Sequence, residues 1–370
     1  MDDELLLAST EKRRVFRRRL LAWYRRHARD LPWRRRRDAY RIWVSEVMLQ
    51  QTQVATVVPY FQRFLATFPS LRQLAAADEQ QVLRLWEGLG YYRRARQMHQ
   101  AARLIVEHHG GRFPRDREAV LALPGIGRYT AGAILSIAFD LREPIVEANT
   151  IRLLARLIAY RDDPRRGPGE RRLWEVGESL LPRTHVGQFN QALMELGSLV
   201  CTTRDPACST CPVAGQCGAR AEGLQESIPP PKRRPKIEHV REAAVVIFRQ
   251  RRVLIVQCGE QTRWSGLWDF PRFPVPLDGS QRHLIDQVRR LTGVAVRPDR
   301  KMATLKHSVT RFRITLDCHL ATYLSRDRRR KGGDEIRWVR PATLADYPLS
   351  TTGRKLGRMA LRETLPSTIS

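Results

Sequence analysis

The sequence predicts two domains, the first all-α and the second α+β. The chain has 370 residues, which is long for one ordinary domain. Apolar residues recur at the helical period up to about residue 224, with Gly and Pro breaks between the helical stretches. We therefore expect a helical domain over residues 1–225, a semi-rigid Pro-rich linker over 226–238 and an α+β domain over 239–364.

The elements of the second half follow a Pro-Pro-Pro run that disfavours helix. Short β-branched runs around Arg249–Arg252 predict a hairpin, and helical and strand patterns alternate beyond it. The predicted elements are strands Ala243–Phe248 and Val253–Cys258, a helix Gln281–Leu291, strands Thr304–Lys306 and Phe312–Tyr323, and a closing helix near 350–361.

Composition and charge favour a folded protein that binds a polyanion. Hydrophobic residues make up 42% of the chain, enough to fill cores, and the formal net charge is +28. Nucleic acid is the first candidate partner. Only seven of the 66 basic residues are lysine, however, and a GC-rich genome alone could produce that arginine bias.

Membrane insertion and secretion are not expected. No apolar run approaches the roughly 20 residues of a spanning helix, and the first residues are charged where a signal peptide would be apolar. We expect a cytoplasmic protein.

Four of the six cysteines form a cluster, with the spacing Cys201-x6-Cys208-x2-Cys211-x5-Cys217. Soft thiolate ligands this close in sequence select zinc or an iron–sulfur cluster, and their clustering indicates a reducing compartment. Zinc ribbons usually pair two C-x2-C knuckles, which this asymmetric spacing does not provide. Cys258 and Cys318 stand alone and are expected to be buried.

A tight turn, Leu123-Pro-Gly-Ile-Gly127, precedes a helical stretch that begins at Arg128. Backbone N–H groups of such a turn, together with the helix N-terminus, can bind a phosphate. Gly125 and Gly127 are therefore candidate DNA-binding positions. The alternative is an ordinary connection between two helices.

Two glutamates lie in contrasting sequence environments. Glu46 lies on a helical stretch with Ile42, Trp43 and Leu49 on the same face, so burial should raise its pKa and suit it to a general acid. Glu147 precedes a helix predicted over Ile151–Tyr160 and capped by Asn149. The helix N-terminus should stabilise its ionised form. The alternative for Glu46 is a buried glutamate that is satisfied by local hydrogen bonds. The alternative for Glu147 is a residue that only complements the helix dipole.

One protonated and one ionised carboxyl form the pair that glycosidic cleavage requires. The cysteine spacing resembles the [4Fe-4S] loop of the endonuclease III and MutY glycosylases, and LPGIGRYTA resembles their helix-hairpin-helix motif. Nearly the whole helical half is similar to the MutY family of adenine DNA glycosylases. The stretches that carry this resemblance are Leu31–Trp33, SEVMLQQTQV (45–54), EGLGYY (87–92) and FNQALMELGSLVC (189–201).

The resemblance implies removal of adenine mispaired with 8-oxoguanine or guanine in double-stranded DNA. It also implies a [4Fe-4S] cluster on Cys201, Cys208, Cys211 and Cys217. We expect a monomeric, nucleoid-associated bacterial enzyme. The implied catalytic residues are Glu46, Glu147, Asn149 and Tyr129. The implied substrate- and DNA-binding residues are Trp33, Arg34, Leu49, Gln50, Gln51, Thr52, Tyr91, Gly125, Gly127, Arg152, Gln191 and Thr310.

Two positions bear on the alternatives, and one of them is a departure from the family. Bifunctional relatives carry a Schiff-base lysine where this chain has Tyr129, which implies a monofunctional enzyme rather than a glycosylase with lyase activity. The family's catalytic aspartate, in an Asp-Gly-Asn context, is replaced by Glu147 in Glu-Ala-Asn. A longer side chain shifts the carboxylate by about 1.5 Å, so a silent lesion-binding protein is the other alternative.

The second domain resembles the MutT-like domain of the same family through its Trp264–Pro271 stretch. The resemblance implies recognition of 8-oxoguanine at Val309-Thr310-Arg311, where only the Thr310 hydroxyl keeps the family's chemistry. The alternative is a plain turn between strands. Nudix hydrolysis needs several glutamates for divalent metal, and helix Gln281–Leu291 offers only Asp286. We expect no nucleotide hydrolysis.

Overall fold

The computed structural model describes residues 9–232, 236–259, 262–276, 280–326 and 335–364. The chain forms two compact units. One comprises the described residues up to Ala76 and from Gln97 to Lys232. The other comprises Ala77–Arg96 and the described residues from 236 onward. The predicted linker includes residues 233–235, which lie outside the described residues.

The first half of the chain is helical, as predicted. Its helices are α1 (Thr10–His27), α2 (Ala39–Leu49), α3 (Val54–Thr67), α4 (Leu71–Ala76), α5 (Glu79–Trp86), α6 (Arg93–His109), α7 (Arg117–Leu121), α8 (Arg128–Phe139), α9 (Ala148–Leu157), α10 (Gly167–Leu180), α11 (Val186–Leu199) and α12 (Gly218–Ala221). Short 3₁₀ turns lie at Pro32–Arg34 and Ala214–Gln216.

Two local features fix the helix starts that matter for the site, a side-chain cap at α2 and a glycine turn at α8. Asp38 accepts a hydrogen bond from the backbone N–H of Arg41 at 2.8 Å and so begins α2. Gly127 is the N-cap of α8, after Gly125 has turned the chain at a φ of +77°. A side chain would be strained at that positive φ, which explains glycine there.

The core of the first unit joins α1 to α9, α10 and α11. Phe16, Leu20, Leu154, Leu173 and Leu193 are buried in it. Gly197 of α11 lies against the start of α9, where a Cβ atom would come within 2.9 Å of the backbone oxygen of Asn149. This close approach needs glycine and sets the distance between the two helices.

The second unit contains a mixed sheet, with α13 (Gln281–Thr292) and α14 (Thr351–Thr364) among its helices. Its strands are β1 (Glu238–Arg249), β2 (Arg252–Gln257), β3 (Trp268–Asp269), β4 (Arg272–Pro274), β5 (Val294–Val309), β6 (Phe312–Arg326) and β7 (Ile336–Val339). The central order is β3-β2-β1-β6-β5, with β4 beside β1 and β7 beside β2. Only the β1–β6 pair is parallel among the named strands.

The predicted hairpin is present. Phe248 pairs with Val253, and Gln250 and Arg251 both have positive φ, the backbone of a tight hairpin turn. The predicted helix Gln281–Leu291 is also present, one residue longer. Strand β5 (Val294–Val309) extends well beyond the predicted Thr304–Lys306, whereas β6 begins at the predicted Phe312 and ends three residues after Tyr323. No helix among the described residues is both long and apolar enough to span a membrane.

Candidate active site

Glu46 is a buried carboxyl on α2, only 5% exposed among Ile42, Trp43 and other apolar side chains. Its Oε2 accepts a hydrogen bond from the Tyr129 hydroxyl of α8 at 2.5 Å. Burial raises the pKa of Glu46 to about 7, partly opposed by the Tyr129 hydrogen bond and increased further by the charge of Glu147. This carboxyl can therefore hold a proton near neutral pH, as predicted.

Glu147 caps α9 with its own side chain. Its Oε1 accepts from the backbone N–H groups of Asn149 and Thr150, both at 3.0 Å, and Thr150 Oγ1 accepts from the Glu147 N–H. The prediction that Asn149 caps a helix beginning at Ile151 is therefore wrong. The longer glutamate side chain reaches the first-turn donors itself, and α9 begins at Ala148.

The expected stabilisation of the Glu147 anion at the helix N-terminus is present, but it does not set the net direction of the Glu147 pKa. Burial raises that pKa above its ordinary value, and the hydrogen bonds from Asn149 and Thr150 and the charge of Arg152 offset burial only in part. More groups stabilise the anion of Glu147 than that of Glu46. Glu147 also accepts a hydrogen bond from Asn149 Nδ2, whereas Glu46 accepts one from the Tyr129 hydroxyl. The surroundings therefore favour Glu46 as the proton donor and Glu147 as the anion.

Both carboxyls line one cavity of about 440 Å³. Most of the predicted site residues share its wall, although they come from five separate parts of the chain. The predicted residues that line it are Trp33, Arg34, Glu46, Leu49, Gln50, Gln51, Thr52, Tyr129, Glu147, Asn149 and Gln191. A concave site with two neighbouring titratable carboxyls is the arrangement expected of a catalytic pocket.

Gln191 and Gln50 are anchored at the cavity wall. Gln191 Oε1 accepts from the Tyr24 hydroxyl at 3.4 Å, while its Nε2 donates to the Gly187 carbonyl at 3.3 Å. Gln50 Nε2 donates to Thr130 Oγ1 at 3.5 Å. Gln51 is exposed and has a φ of +57°, so helix α2 ends in a sharp turn at the cavity mouth.

Arg152 lies outside the lining residues of the cavity. Its Nη2 donates to Asn149 Oδ1 at 3.0 Å and to the Gly197 carbonyl, and its Nε donates to the Cys201 carbonyl, the latter two at 2.6 Å. The guanidinium thus fixes Asn149 against α11 and the cysteine loop. These contacts point to positioning of Asn149, whereas the sequence suggested contact with substrate or DNA.

The other predicted binding residues are not among those that line this cavity. Gly125 and Gly127 form the turn before α8. Tyr91 belongs to the second unit, is 46% exposed and has a φ of +45°. Thr310 occupies the exposed β5–β6 turn at a φ of +49°, which is unusual for a β-branched residue.

The four clustered cysteines line a second, small cavity. Arg156 of α9, 2% exposed, donates from Nη1 to Cys201 Sγ at 3.2 Å and to the Thr202 carbonyl. Cys217 Sγ lies 3.4 Å from the Arg156 carbonyl oxygen. Among the described residues, no three His, Cys, Asp or Glu side chains are arranged to hold a single metal ion.

Glu195 and Arg29 are cavity-lining residues that the sequence did not reveal. Glu195 of α11 accepts hydrogen bonds from both Arg29 and Arg34. Its partners lie 166 and 161 residues earlier in the chain, so no local pattern connects them. Glu195 does lie within the FNQALMELGSLVC stretch, which was the only available signal.

Comparison with known proteins identifies two matching sequence families. Residues 44–179 match the HhH-GPD superfamily of base excision DNA repair proteins. Residues 243–358 match the NUDIX domain.

The matches to curated relatives cover different shares of those relatives. An adenine DNA glycosylase of Rattus norvegicus is 49% identical over 214 residues, which is 55% of this chain and 42% of the relative. An adenine DNA glycosylase of Buchnera aphidicola (Schizaphis graminum) is 38% identical over 263 residues, 70% of this chain and 75% of the relative. The chain thus spans less than half of the rat relative. Among solved structures, a thermostable thymine-DNA glycosylase superposes with a TM-score of 0.53 at 30% identity, covering 58% of this chain and 99% of that one.

Proposed function

Because this chain belongs to the adenine DNA glycosylase family, we propose that it hydrolyses the N-glycosidic bond of adenine mispaired with 8-oxoguanine or guanine in double-stranded DNA. This reaction leaves an abasic site and begins base-excision repair. The observation that carries the proposal is the protonatable Glu46, buried in a cavity that it shares with Glu147.

The two carboxyls divide the chemistry between them. A flipped adenine enters the cavity, and Glu46 donates its proton to a ring nitrogen so that the base leaves as a neutral molecule. Glu147 stabilises the positive charge that develops on the sugar as the bond breaks, and water then bonds to the anomeric carbon and loses a proton to a carboxylate of the site, which completes the hydrolysis. The backbone N–H groups of Asn149 and Thr150 hold that carboxylate in place.

Glu147 stands where the family has an aspartate, and local hydrogen bonds hold its carboxylate. Its carboxylate is folded back over the start of α9 by two backbone hydrogen bonds and lies 3.4 Å from Asn149 Nδ2. This local anchoring supports a catalytic role for the longer side chain. A silent, lesion-binding protein is the outcome if the anchoring leaves the carboxylate out of reach of the sugar.

Tyr129 supports a monofunctional enzyme. A phenol cannot form a Schiff base with the abasic sugar, and this one is engaged with Glu46. Borohydride should therefore trap no covalent complex between the protein and DNA. A trapped complex would identify a glycosylase with lyase activity instead.

The four-cysteine loop fits a [4Fe-4S] cluster better than zinc. Zinc ribbons usually pair two C-x2-C knuckles, which the 6-2-5 spacing of these cysteines does not provide, and all four thiols line one small cavity. The buried guanidinium of Arg156 beside Cys201 can compensate the negative charge of a thiolate-bound cluster. When bound, the cluster fixes the loop that Arg152 joins to Asn149.

For the second domain we propose recognition of the base opposite adenine, with the exposed Thr310 turn as the contact. Helix α13 carries Asp286 as its only carboxylate, which does not suffice for the metal of a Nudix hydrolase. The domain is accordingly proposed to bind without hydrolysing nucleotides.

A single-turnover assay tests the proposed function. Duplexes that hold adenine opposite 8-oxoguanine, guanine or thymine are mixed with excess protein, and abasic sites are counted after alkaline cleavage. Release from the first two duplexes only is expected. Tight, salt-sensitive binding with no release from any duplex would instead identify a lesion-binding protein.

A further inference from the structure

Glu195 is a fully buried carboxylate that holds two arginines in the wall of the active-site cavity. Its Oε1 accepts from the backbone N–H and Nε of Arg29 and from Nη1 of Arg34, at 2.9, 2.9 and 3.1 Å. Its Oε2 accepts from Nη2 of Arg29 at 2.7 Å and from Nη2 of Arg34 at 2.8 Å. Its side chain is 0% exposed.

Without this carboxylate the two guanidinium groups would repel each other at close range. Further contacts fix Arg34, whose Nη1 donates to the Arg29 carbonyl at 3.2 Å and whose guanidinium carbon lies 5.6 Å from the centre of the Tyr24 ring. Arg29 is fixed as well by Ser198, whose hydroxyl accepts from Nη2 at 3.3 Å. The bonds of Arg34 use Nη1 and Nη2 and leave its Nε–H out, and both arginines line the cavity.

We propose that Glu195 is a positioning residue for base recognition, which locks Arg29 and Arg34 into one rigid edge of hydrogen-bond donors against the flipped purine. The ring nitrogens of adenine are acceptors, so a fixed donor edge sets how the base lies relative to Glu46. The inference rests on the proposed function, since it concerns the same cavity.

The cluster of Arg29, Glu195 and Arg34 also affects the electrostatic environment of Glu46. Glu46 interacts with the Tyr129 hydroxyl of α8 and with the charges of Glu147 and Arg34, and Arg29 and Glu195 line the same cavity. Burial works to raise the pKa of Glu195, but the hydrogen bonds from Arg29 and Arg34 outweigh it and lower that pKa to about 2. Glu195 is therefore ionised throughout the working pH range and offsets one of the two positive charges.

The test is the pH profile of single-turnover adenine release for Glu195→Gln, Arg34→Gln and the double variant. Glu195→Gln misplaces both arginines and should lower the rate on the order of 100-fold. It also leaves two positive charges beside Glu46, so the high-pH limit of activity should move down by about one pH unit. Arg34→Gln should move that limit up, and the double variant should return it near the wild-type position.

A merely structural role predicts a different pattern, in which the rate falls while the high-pH limit stays in place in every variant. That result overturns the inference. Glu195→Asp, which keeps the charge, is the conservative control and should keep the wild-type limit. If Glu195→Gln does not fold, Arg29→Gln serves instead: it removes one of the two arginines held by Glu195 and should slow adenine release, and a wild-type rate and limit in that variant would overturn the inference. Absence of adenine release by the wild-type protein would refute the proposed function. Release by the wild-type protein, with the same high-pH limit in every variant, would refute only the positioning role of Glu195.

Discussion

The hydroxyl of Tyr129 donates to Oε2 of Glu46 over 2.5 Å, joining α8 to the buried carboxyl of α2. This contact stabilises the ionised form of Glu46 and opposes the effect of burial, which raises the pKa of Glu46 to about 7. By the resemblance to the family, the same phenol stands where bifunctional glycosylases carry a Schiff-base lysine, and the proposed restriction to hydrolysis rests on it.

Tyr129→Phe removes that hydrogen bond, so the pKa of Glu46 should rise further. The high-pH limit of adenine release should move upward by up to about one pH unit. Single-turnover rates across pH check this, with Tyr60→Phe, on α3 and outside the cavity, as the control. An unchanged or lower limit in the Tyr129 variant would show that the contact does not govern the acid.

Glu46→Gln should abolish adenine release and stabilise the fold at high pH. The pKa of Glu46 is about 7 in the folded protein and ordinarily 4.5. Ionisation of Glu46 therefore does not lower the free energy of unfolding below pH 4.5, and it lowers that free energy increasingly as the pH rises to 7. The full cost above pH 7 is about 3 kcal/mol.

Urea unfolding at pH 5 and pH 8 measures that difference. The glutamine variant should gain most at pH 8 and little at pH 5. Glu11→Gln, at an exposed position of α1, serves as the control and should change neither value. An equal gain at both pH values would mean that ionisation of Glu46 is not the cause.

Glu147→Gln should reduce adenine release on the order of 1,000-fold, because the charge that stabilises the sugar cation is lost. The amide oxygen can still accept from Asn149 and Thr150, so duplex affinity should change little. Glu147→Asp keeps the charge and should retain activity. Glu170→Gln, another glutamate in the first turn of a helix, is the matched control. Wild-type turnover by the Glu147→Gln protein would contradict the role given to this residue.

Cys211→Ser should remove the broad visible absorbance and the iron and sulfide of the purified protein. Cys258→Ser, in the second unit, should leave all three unchanged. Metal and acid-labile sulfide analyses provide the measurement. Stoichiometric zinc without sulfide in the wild-type protein would favour a zinc site instead.

The fold class predicted from the sequence is confirmed, with an HhH-GPD helical core followed by a Nudix-like domain. The burial of Glu46 was predictable because its apolar neighbours recur at helical spacing around it. The pKa of Glu147 was not, since its burial comes from helices distant in sequence. Glu195 escaped notice for the same reason, because the arginines that it binds are remote in the chain.

Release of free adenine from a duplex containing adenine opposite 8-oxoguanine, followed under single-turnover conditions, tests the central claim most directly. The wild-type protein should release adenine with a high-pH limit near 7, and neither Glu46→Gln nor Glu147→Gln should release it at a comparable rate. Equal release by wild type and both variants would show that these carboxyls do not carry the reaction.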